Sequence, residues 1–258
     1  MSVDVVLRAL GLPPQALVDK RVPKATLIEH GTPTTADRRR VNEGIEELRW
    51  VAALKPGNIG VPAYSDAERE YLEIVVLAAT LRSTAKVPRL VEVIHRSIPY
   101  PALLVTSEPG GRTGISFAHK RFAQNEGGKV VAERVWAASI EGMGEGEPDR
   151  SFLGSLALAI LPRDNLAVLY GAWVACAASM EASRVSGVFV PPRSGRNSEE
   201  VDASLQEHSR ITREIAGLRA QARKEKQIRI RVDLNTKIGT LKAELEGIRK
   251  RLAMENDR

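Results

Sequence analysis

The segment Glu70–Leu81, EYLEIVVLAATL, carries a near-continuous apolar run, Ile74-Val75-Val76-Leu77. Such a run is typical of a central β-strand that is covered on both faces, because neither row of alternating side chains then meets water. It therefore predicts a sheet with elements packed against both of its sides. The segments before and after the run indicate what those elements are.

The segments after this strand predict one helix and three further strands. Leu90, Val91 and Ile94 recur at helical spacing within Val87–Ser97. The motif Ile98-Pro99-Tyr100-Pro101 forces a turn, because each proline fixes φ and biases the residue before it toward extended geometry. Glycine pairs at 110–111 and 127–128 mark the next turns. The predicted strands are Leu103–Thr106, Thr113–Arg121 and Val130–Ile140.

The segments before the strand predict helices at 3–12 and 34–47, with short strands at 22–28 and 50–54. Thr34, Thr35 and Asp37 are of the residue types that cap a helix N-terminus. On the C-terminal side, Asp149–Leu161 and Asp164–Val185 predict two Ala-rich helices, the second capped by Asp164.

The last sixty residues predict long amphipathic helices. No proline interrupts 198–252, and apolar residues return every three or four positions among dense charge. The apolar stripe changes phase across Arg223–Arg231, which favours two helices in an antiparallel hairpin over one continuous helix with a phase shift. The two stripes are Val201, Leu205, His208, Ile211, Ile215, Leu218 and Ala222, and Leu234, Ile238, Leu241, Leu245, Ile248 and Leu252.

Together these elements predict an α+β fold. A small mixed β-sheet with packed helices is followed by an Ala-rich helical pair and a C-terminal helical hairpin or coiled coil. The expected divisions are a sheet domain at 1–141, the helical pair at 149–189 packed on it, a linker at 190–197 and the long helices at 198–256.

Composition places the chain among ordinary globular proteins, with 258 residues, 43% hydrophobic and 27% charged. The net charge of +6 is compatible with nucleic acid, whereas 4% aromatic residues disfavour a protein that stacks single-stranded bases. The single cysteine, Cys176, lies in an apolar run and is expected to be buried and reduced, which suits the cytoplasm. We expect neither a signal peptide nor a membrane span, because no basic-apolar leader begins the chain and no apolar run reaches about 18 residues.

Catalytic motifs are missing from the sequence. The glycines at 142, 144 and 146 lack the Lys-Ser/Thr ending of a phosphate loop, and the histidines have no partner at metal-ligand spacing. A metal-dependent nuclease needs an Asp on one strand and Glu-x-Lys on the next. Glu70 and Glu73 begin the central strand without a lysine at that offset. We therefore expect no catalytic residue, cofactor or metal, which favours a non-enzyme.

Three basic clusters are candidates for contact with phosphates, each with a solvated charged face as the alternative. Arg38-Arg39-Arg40 lies in the first turn of a predicted helix, where cations oppose the helix dipole. His119-Lys120-Arg121 ends a predicted strand. The third cluster surrounds the phase break, where Glu225 is the one opposing acid. The candidate nucleic-acid contacts are Lys120, Arg121, Arg219, Arg223, Lys224, Lys226, Arg229 and Arg231.

Several of these segments, in this order, resemble the bacterial domain of unknown function 4391 family. They are Gly11-Leu12-Pro13, Val22-Pro23-Lys24, Ile45–Leu54, Ile98-Pro99-Tyr100-Pro101, His119-Lys120-Arg121, Lys224-Glu225-Lys226-Gln227 and Val232-Asp233-Leu234-Asn235. The family has no assigned activity. Its genes lie beside helicase and DNA methyltransferase genes in restriction-like phage-defence cassettes, so the resemblance implies a DNA-directed complex. The family's central strand ends in Lys where this chain has Arg82, which puts in doubt any role that needs an amine there.

The resulting hypothesis is a non-catalytic accessory subunit of such a complex, with weak, sequence-independent DNA contact. The alternatives are a divergent metal-dependent nuclease and a self-associating scaffold without nucleic-acid binding. The C-terminal stripes would bind a protein partner, either the helicase or methyltransferase or a second copy. The candidate interface residues are Leu205, Ile211, Ile215, Leu218, Leu234, Ile238, Leu241, Leu245, Ile248 and Leu252.

Overall fold

A computed structural model describes residues 2–31, 34–123, 130–140, 146–192 and 198–253. It divides into two compact units, Met1–Ala177 and Ala178–Arg258, with the division inside one long helix. The fold is α+β, as the sequence predicts.

The first unit is built on a six-stranded mixed sheet in the order β1-β2-β5-β6-β7-β8. Only β5 and β6 run parallel, and each other neighbouring pair is antiparallel. A separate two-stranded ladder joins β3 to β4. The strands are β1 Leu17–Arg21, β2 Ile45–Leu54, β3 Tyr64–Ser65, β4 Glu70–Tyr71, β5 Ile74–Leu81, β6 Ala102–Ser107, β7 Thr113–Phe122 and β8 Val130–Ile140.

The helices fall before, between and after these strands. A 3-10 turn, Pro14–Ala16, leads into β1. The helices are α1 Ser2–Leu10, α2 Lys24–Gly31, α3 Thr35–Gly44, α4 Pro56–Ile59, α5 Val87–Ser97, α6 Asp149–Ser155, α7 Leu166–Ser186, α8 Ser198–Lys224 and α9 Ile228–Ala253.

One face of the sheet is covered by α2, α3 and α5. The core on this face joins Leu27 of α2, Val41 of α3 and Leu90 of α5 to Val75 and Leu77 of the central strand. The apolar run that predicts a central strand is confirmed, because all four of its residues are fully buried in β5.

The other face carries α7. Phe117 of β7 stacks on Trp173 at a centroid distance of 6.4 Å, while the adjacent residue, Ser116, reaches α5 on the first face. This is the expected alternation of a strand buried on both sides. Among the described helices, α7 is the one long and apolar enough to cross a membrane, yet 67% of its most apolar window is buried. That burial is typical of a core helix.

The N-terminal segments differ from the prediction: α1 ends at Leu10, and β1, α4 and the β3–β4 ladder were not predicted. Residues 22–28 do not form a strand, because the chain turns at Pro23 into α2, whose Leu27 is fully buried. Gly31 explains the close approach of α2 to α5, since a Cβ there would meet Ser97 Oγ at 1.7 Å. Thr34 caps α3 as predicted, but the helix ends at Gly44 and β2 begins five residues earlier than expected, because Ile45 pairs with Leu81.

The Ala-rich segments also need correction. The first predicted helix, 149–161, ends at Ser155. The second is capped by Asn165 and not by Asp164, since Asn165 Oδ1 accepts hydrogen bonds from the backbone N–H groups of Ala167 and Val168, each at 3.0 Å. The predicted turn at Gly127-Gly128 and most of the predicted linker lie outside the described residues.

Within the second unit the C-terminal helices form a hairpin. Helix α8 ends at Lys224, α9 begins at Ile228, and Arg251 near the end of α9 pairs with Glu207 near the start of α8 at 2.9 Å. The phase break in the stripes is therefore the turn of an antiparallel hairpin, and the alternative of one continuous helix is wrong.

Candidate functional site

One end of the sheet brings together two segments that the sequence analysis identified separately. The Pro99-Tyr100-Pro101 turn precedes β6, and Lys120-Arg121-Phe122 ends β7. With Glu70, Leu72 and Val130 they line a cleft of about 110 Å³. Leu72 and Tyr100 are exposed there although they are large and apolar, at 54% and 38%. An apolar wall left open to solvent in this way is a common property of ligand clefts.

Lys120 lines this cleft and is only 2% exposed, although lysine is almost never fully buried unless it is paired. Its ammonium donates to the carbonyl of Ile98 at 2.7 Å and to the carbonyl of His95. These carbonyls belong to the C-terminal turn of α5, so the amine supplies bonds that the end of a helix otherwise lacks. Burial lowers the pKa of Lys120 to about 8.

His95 lies beside Lys120 on the same face of the sheet. Its Nε2 is 2.9 Å from Ser116 Oγ, and the ring is fully buried. Burial first, and the Lys120 charge second, lower the pKa of His95 to about 3, so the ring is neutral. His95 is thus a core histidine on the buried face of α5.

His119 lies on the opposite face, toward α7. Its Nδ1 is 2.7 Å from the Tyr71 hydroxyl, and its ring meets Tyr170 edge-on at 5.4 Å. Burial, with a smaller contribution from Arg69, lowers the pKa of His119 to about 4. The Tyr170 hydroxyl accepts a hydrogen bond from the backbone N–H of Ala118 at 2.9 Å. Its O–H lies within donating distance of the carbonyls of Ala102 and Ala118, at 2.8 and 3.0 Å. These contacts hold α7 against the sheet, and they make His119 part of the packing between α7 and the sheet.

Glu70 and Glu73, the two carboxylates considered for a nuclease, lie in different surroundings. Glu73 is 9% exposed and pairs with Lys55 at 3.1 Å, whereas Glu70 lines the cleft. Within the described ranges, no three His, Cys, Asp or Glu residues gather as they would around a metal ion. Cys176, as expected, is a buried free thiol, and burial raises its pKa to about 12.

The arginine cluster in α3 has partners of its own. Arg39 pairs with Glu43, and Arg40 pairs with Asp37 at 2.8 Å. Asp37 is 1% exposed and also receives a two-point contact from Arg89 of α5, at 2.9 and 2.7 Å. The hydrogen bonds from Arg89 hold the pKa of Asp37 well below its usual range. Two of the three arginines are therefore neutralised locally.

The hairpin turn, by contrast, gathers exposed basic residues that form no ion pair with any described acid. The basic tip, as we call it, consists of Arg219, Arg223, Lys224, Lys226, Arg229 and Arg231. All six are exposed, and none forms an ion pair within the part of the chain that the structure describes. Glu225, the one acid here, accepts a hydrogen bond from the backbone N–H of Gln227 at 2.7 Å.

The dipoles of α8 and α9 also affect the electrostatics of the basic tip. Arg223 and Lys224 lie in the last turn of α8, where the helix dipole favours cations. Arg229 and Arg231 begin α9, whose first turn holds no acid. Cations at a helix N-terminus oppose the dipole, so this end is a place where an anion is electrostatically favoured.

The predicted site residues thus fall into three groups. Lys120 is buried and bonded, and Arg121 lies 3.8 Å from Glu133, so neither belongs to an open phosphate-binding surface. The six tip cations are exposed together. The interface residues of the stripes are packed or half-buried in the hairpin, with Ile211, Ile215 and Ile248 at 0%, 5% and 1% exposure. Their apolar surface therefore has an occupant within the chain.

Sequence reasoning missed the cleft and the Asp37–Arg89 contact. The sequence did contain an indication of the cleft. Tyr100 is an aromatic residue between two prolines in a predicted turn, where a core does not cover it. Nothing in the sequence brings Asp37 to Arg89, which lies 52 positions away.

Comparison with known proteins gives a family and no activity. The family model described as Domain of unknown function (DUF4391) matches residues 10–245, nearly the whole chain. No curated protein and no solved structure matches it. The match extends through both the sheet unit and most of the hairpin, and on this ground the chain belongs to the DUF4391 family.

Proposed function

We propose that this protein is a non-catalytic accessory subunit of a cytoplasmic, DNA-directed complex of the restriction-like, phage-defence type, and that its basic tip contacts DNA without reading sequence. The single observation that carries the proposal is the set of six exposed cations around one helix turn, with one acid among them. The gene neighbourhood that the family resemblance implies supports the choice of DNA as the polyanion.

Electrostatics explain why such a tip suits a phosphate backbone. Each cation that replaces a condensed counterion on DNA contributes through ion release, and this contribution does not depend on base identity. The cations lie on two helix ends that a turn of three residues, 225–227, joins, and we infer that they contact several phosphates together. Contact of this kind fixes position without specifying sequence.

The protein partner, which we propose to be the complex's helicase or methyltransferase, needs apolar surface that the hairpin leaves open. The stripes are largely used inside the chain, whereas Ile228 and Val232 at the start of α9 are exposed at 70% and 56%. Together with Ile230, which is exposed at 39%, they alternate along the chain with Arg229 and Arg231. A partner site that combines apolar and basic residues near the tip is consistent with joint contact to protein and DNA.

The test is binding of labelled duplex DNA to the full chain across a salt series. Affinity is expected to fall steeply with salt, with a log–log slope of about −0.9 for each phosphate contacted. The triple variant Arg223→Glu, Lys224→Glu, Arg229→Glu should bind more weakly and flatten the slope by roughly 3.

The matched control is Arg213→Glu, Lys242→Glu, Lys250→Glu, which changes the net charge equally at exposed positions of the same helices away from the turn. It should retain most of the wild-type slope. Wild-type binding that ignores salt, or equal losses in the two triple variants, would refute the proposal. DNA shortened in the presence of Mg²⁺ would favour a nuclease.

A further inference from the structure

We propose that the cleft at the end of β7 binds a small organic carboxylate with an apolar body about one ring in size, its carboxylate held by the Lys120 ammonium. The inference is independent of the basic tip. The cleft lies wholly in the first unit, and its ligand is not a nucleic acid.

The shape and lining of the cleft set the size and polarity of the ligand. Its volume of about 110 Å³ is below the ~150 Å³ of an enclosed apolar cavity that holds one benzene ring, so a ligand of one ring would fill this open cleft and leave part of its surface in solvent. Leu72, Tyr100, Phe122 and the flanking prolines provide apolar and aromatic walls. Tyr100 is also fixed against Trp50, with an edge-on centroid distance of 6.1 Å, so one wall is preformed.

The positive charge of Lys120 favours a ligand with a negative charge. An ammonium has three N–H donors, and two are taken by the carbonyls of His95 and Ile98. Those carbonyls are neutral, and across the described ranges no carboxylate lies within ion-pair distance of this amine. A buried cation that no carboxylate of the described residues balances gains strongly from an anion that brings its own apolar body and excludes water.

The other charged groups that the structure describes around the cleft do not supply that balance. Glu70 is exposed at the rim, where water screens its repulsion of an anion. Arg121 already faces Glu133, which Arg69 also contacts at 3.2 Å. His95, the nearest titratable neighbour, is neutral because it is fully buried. Attraction from Lys120, which is weakly screened, therefore dominates.

The test is calorimetric titration of the full chain with benzoate at pH 8, in HEPES and in Tris. Benzoate should bind about ten- to a hundredfold more tightly than benzamide, its neutral isostere, because the charge-assisted hydrogen bond is lost in the amide. Since the pKa of Lys120 lies near 8, an anion beside it should draw up to about half a proton onto the amine. The measured enthalpy should therefore differ between HEPES and Tris at pH 8. At pH 6, in two buffers that titrate near that pH, the enthalpy should not depend on the buffer, because the amine is already charged.

Variants assign the binding to this cleft. Lys120→Met should abolish both benzoate binding and proton uptake. If that variant does not fold, Tyr100→Ala and Leu72→Ala, which change exposed side chains, should each weaken benzoate several-fold, while Leu17→Ala on β1, equally exposed and outside the cleft, should not. Equal affinity for benzoate and benzamide, absence of proton uptake, or no heat at millimolar benzoate would each overturn the proposal.

Discussion

Single residues with polar side chains set the chemistry of this protein because the fold buries them. His119 and Lys120 are consecutive near the end of β7 with side chains on opposite faces of the sheet, and His95 lies beside Lys120. The pKa of each of the three side chains is lowered from its ordinary value. Desolvation by burial is the largest cause of the lowered pKa in all three side chains. Their pKa values therefore make folding sensitive to pH on both sides of neutrality.

His119 gives a prediction at this scale. Its pKa of about 4 in the folded chain lies below the ordinary value of 6.5, so the unfolded chain takes up a proton first as the pH falls. The free energy of unfolding should consequently drop from pH 6.5 toward pH 4, by on the order of 2 kcal/mol from this ring. In His119→Gln, which cannot titrate, that part of the drop should be absent.

Urea unfolding at a series of pH values would measure the effect. His30→Gln is the control, because His30 is exposed. His95 contributes the same acid dependence to all three proteins and cancels in the differences. Parallel curves for wild type and His119→Gln would contradict the assignment of a neutral, buried imidazole.

At the scale of elements, α3 and α5 are joined by one buried carboxylate. Asp37 accepts from Thr34, Arg40 and Arg89, and Arg89 also contacts Glu92 at 2.6 Å. The network links the start of α3 to the start of α5 on the first face of the sheet. Removing the charge at its centre leaves the guanidinium of Arg89 without its buried partner.

Asp37→Asn should therefore lower the free energy of unfolding at pH 7 by about 2 kcal/mol. Glu43→Gln, which breaks the exposed Arg39 pair, should change it by less than about 0.5 kcal/mol. Because the pKa of Asp37 is depressed in the folded chain, its contribution is present above about pH 4 and is lost as the pH falls further. Denaturant midpoints of the two variants decide the matter, and equal midpoints at pH 7 would show that the contact contributes nothing.

At the scale of the whole molecule, two units with different kinds of core share one chain. The sheet unit is closed on both faces by helices, whereas the hairpin packs two helices along one stripe. All three tryptophans, at positions 50, 136 and 173, lie in the first unit. Tryptophan fluorescence thus reports on the sheet, while far-ultraviolet circular dichroism also reports on the long helices.

The two signals should not coincide during urea unfolding, and the dichroism should begin to fall first, because a single stripe buries less apolar surface per residue. Ile211→Ala, at a fully buried position, should destabilise the hairpin by about 2–4 kcal/mol and move the early dichroism change while leaving the fluorescence midpoint in place. Val232→Ala, at an exposed position of α9, should leave both signals unchanged. Superimposable transitions in the wild type would mean that the two units unfold together.

Local patterns in the sequence determined much of this molecule. The apolar run of β5, the spacing of α5, the glycine turn at 110–111 and the phase break at 223–231 each predicted an element that the structure confirms. These signals work because side-chain periodicity and special backbone angles act over a few residues. They also predicted the α+β fold and the family, and they identified the basic tip as a charged segment.

Contacts between distant segments decided the rest. Residues 22–28 have strand-like composition, yet they enter α2 because Leu27 and Gly31 pack against α5. Lysine is a residue type that usually lies at the surface. Lys120 is buried instead, because its ammonium donates to the carbonyls of His95 and Ile98 at the end of α5. The stripes that predict a partner interface are covered by each other. In each case long-range burial outweighed local preference, since removing apolar surface from water and satisfying buried polar groups involve larger free energies than propensity does.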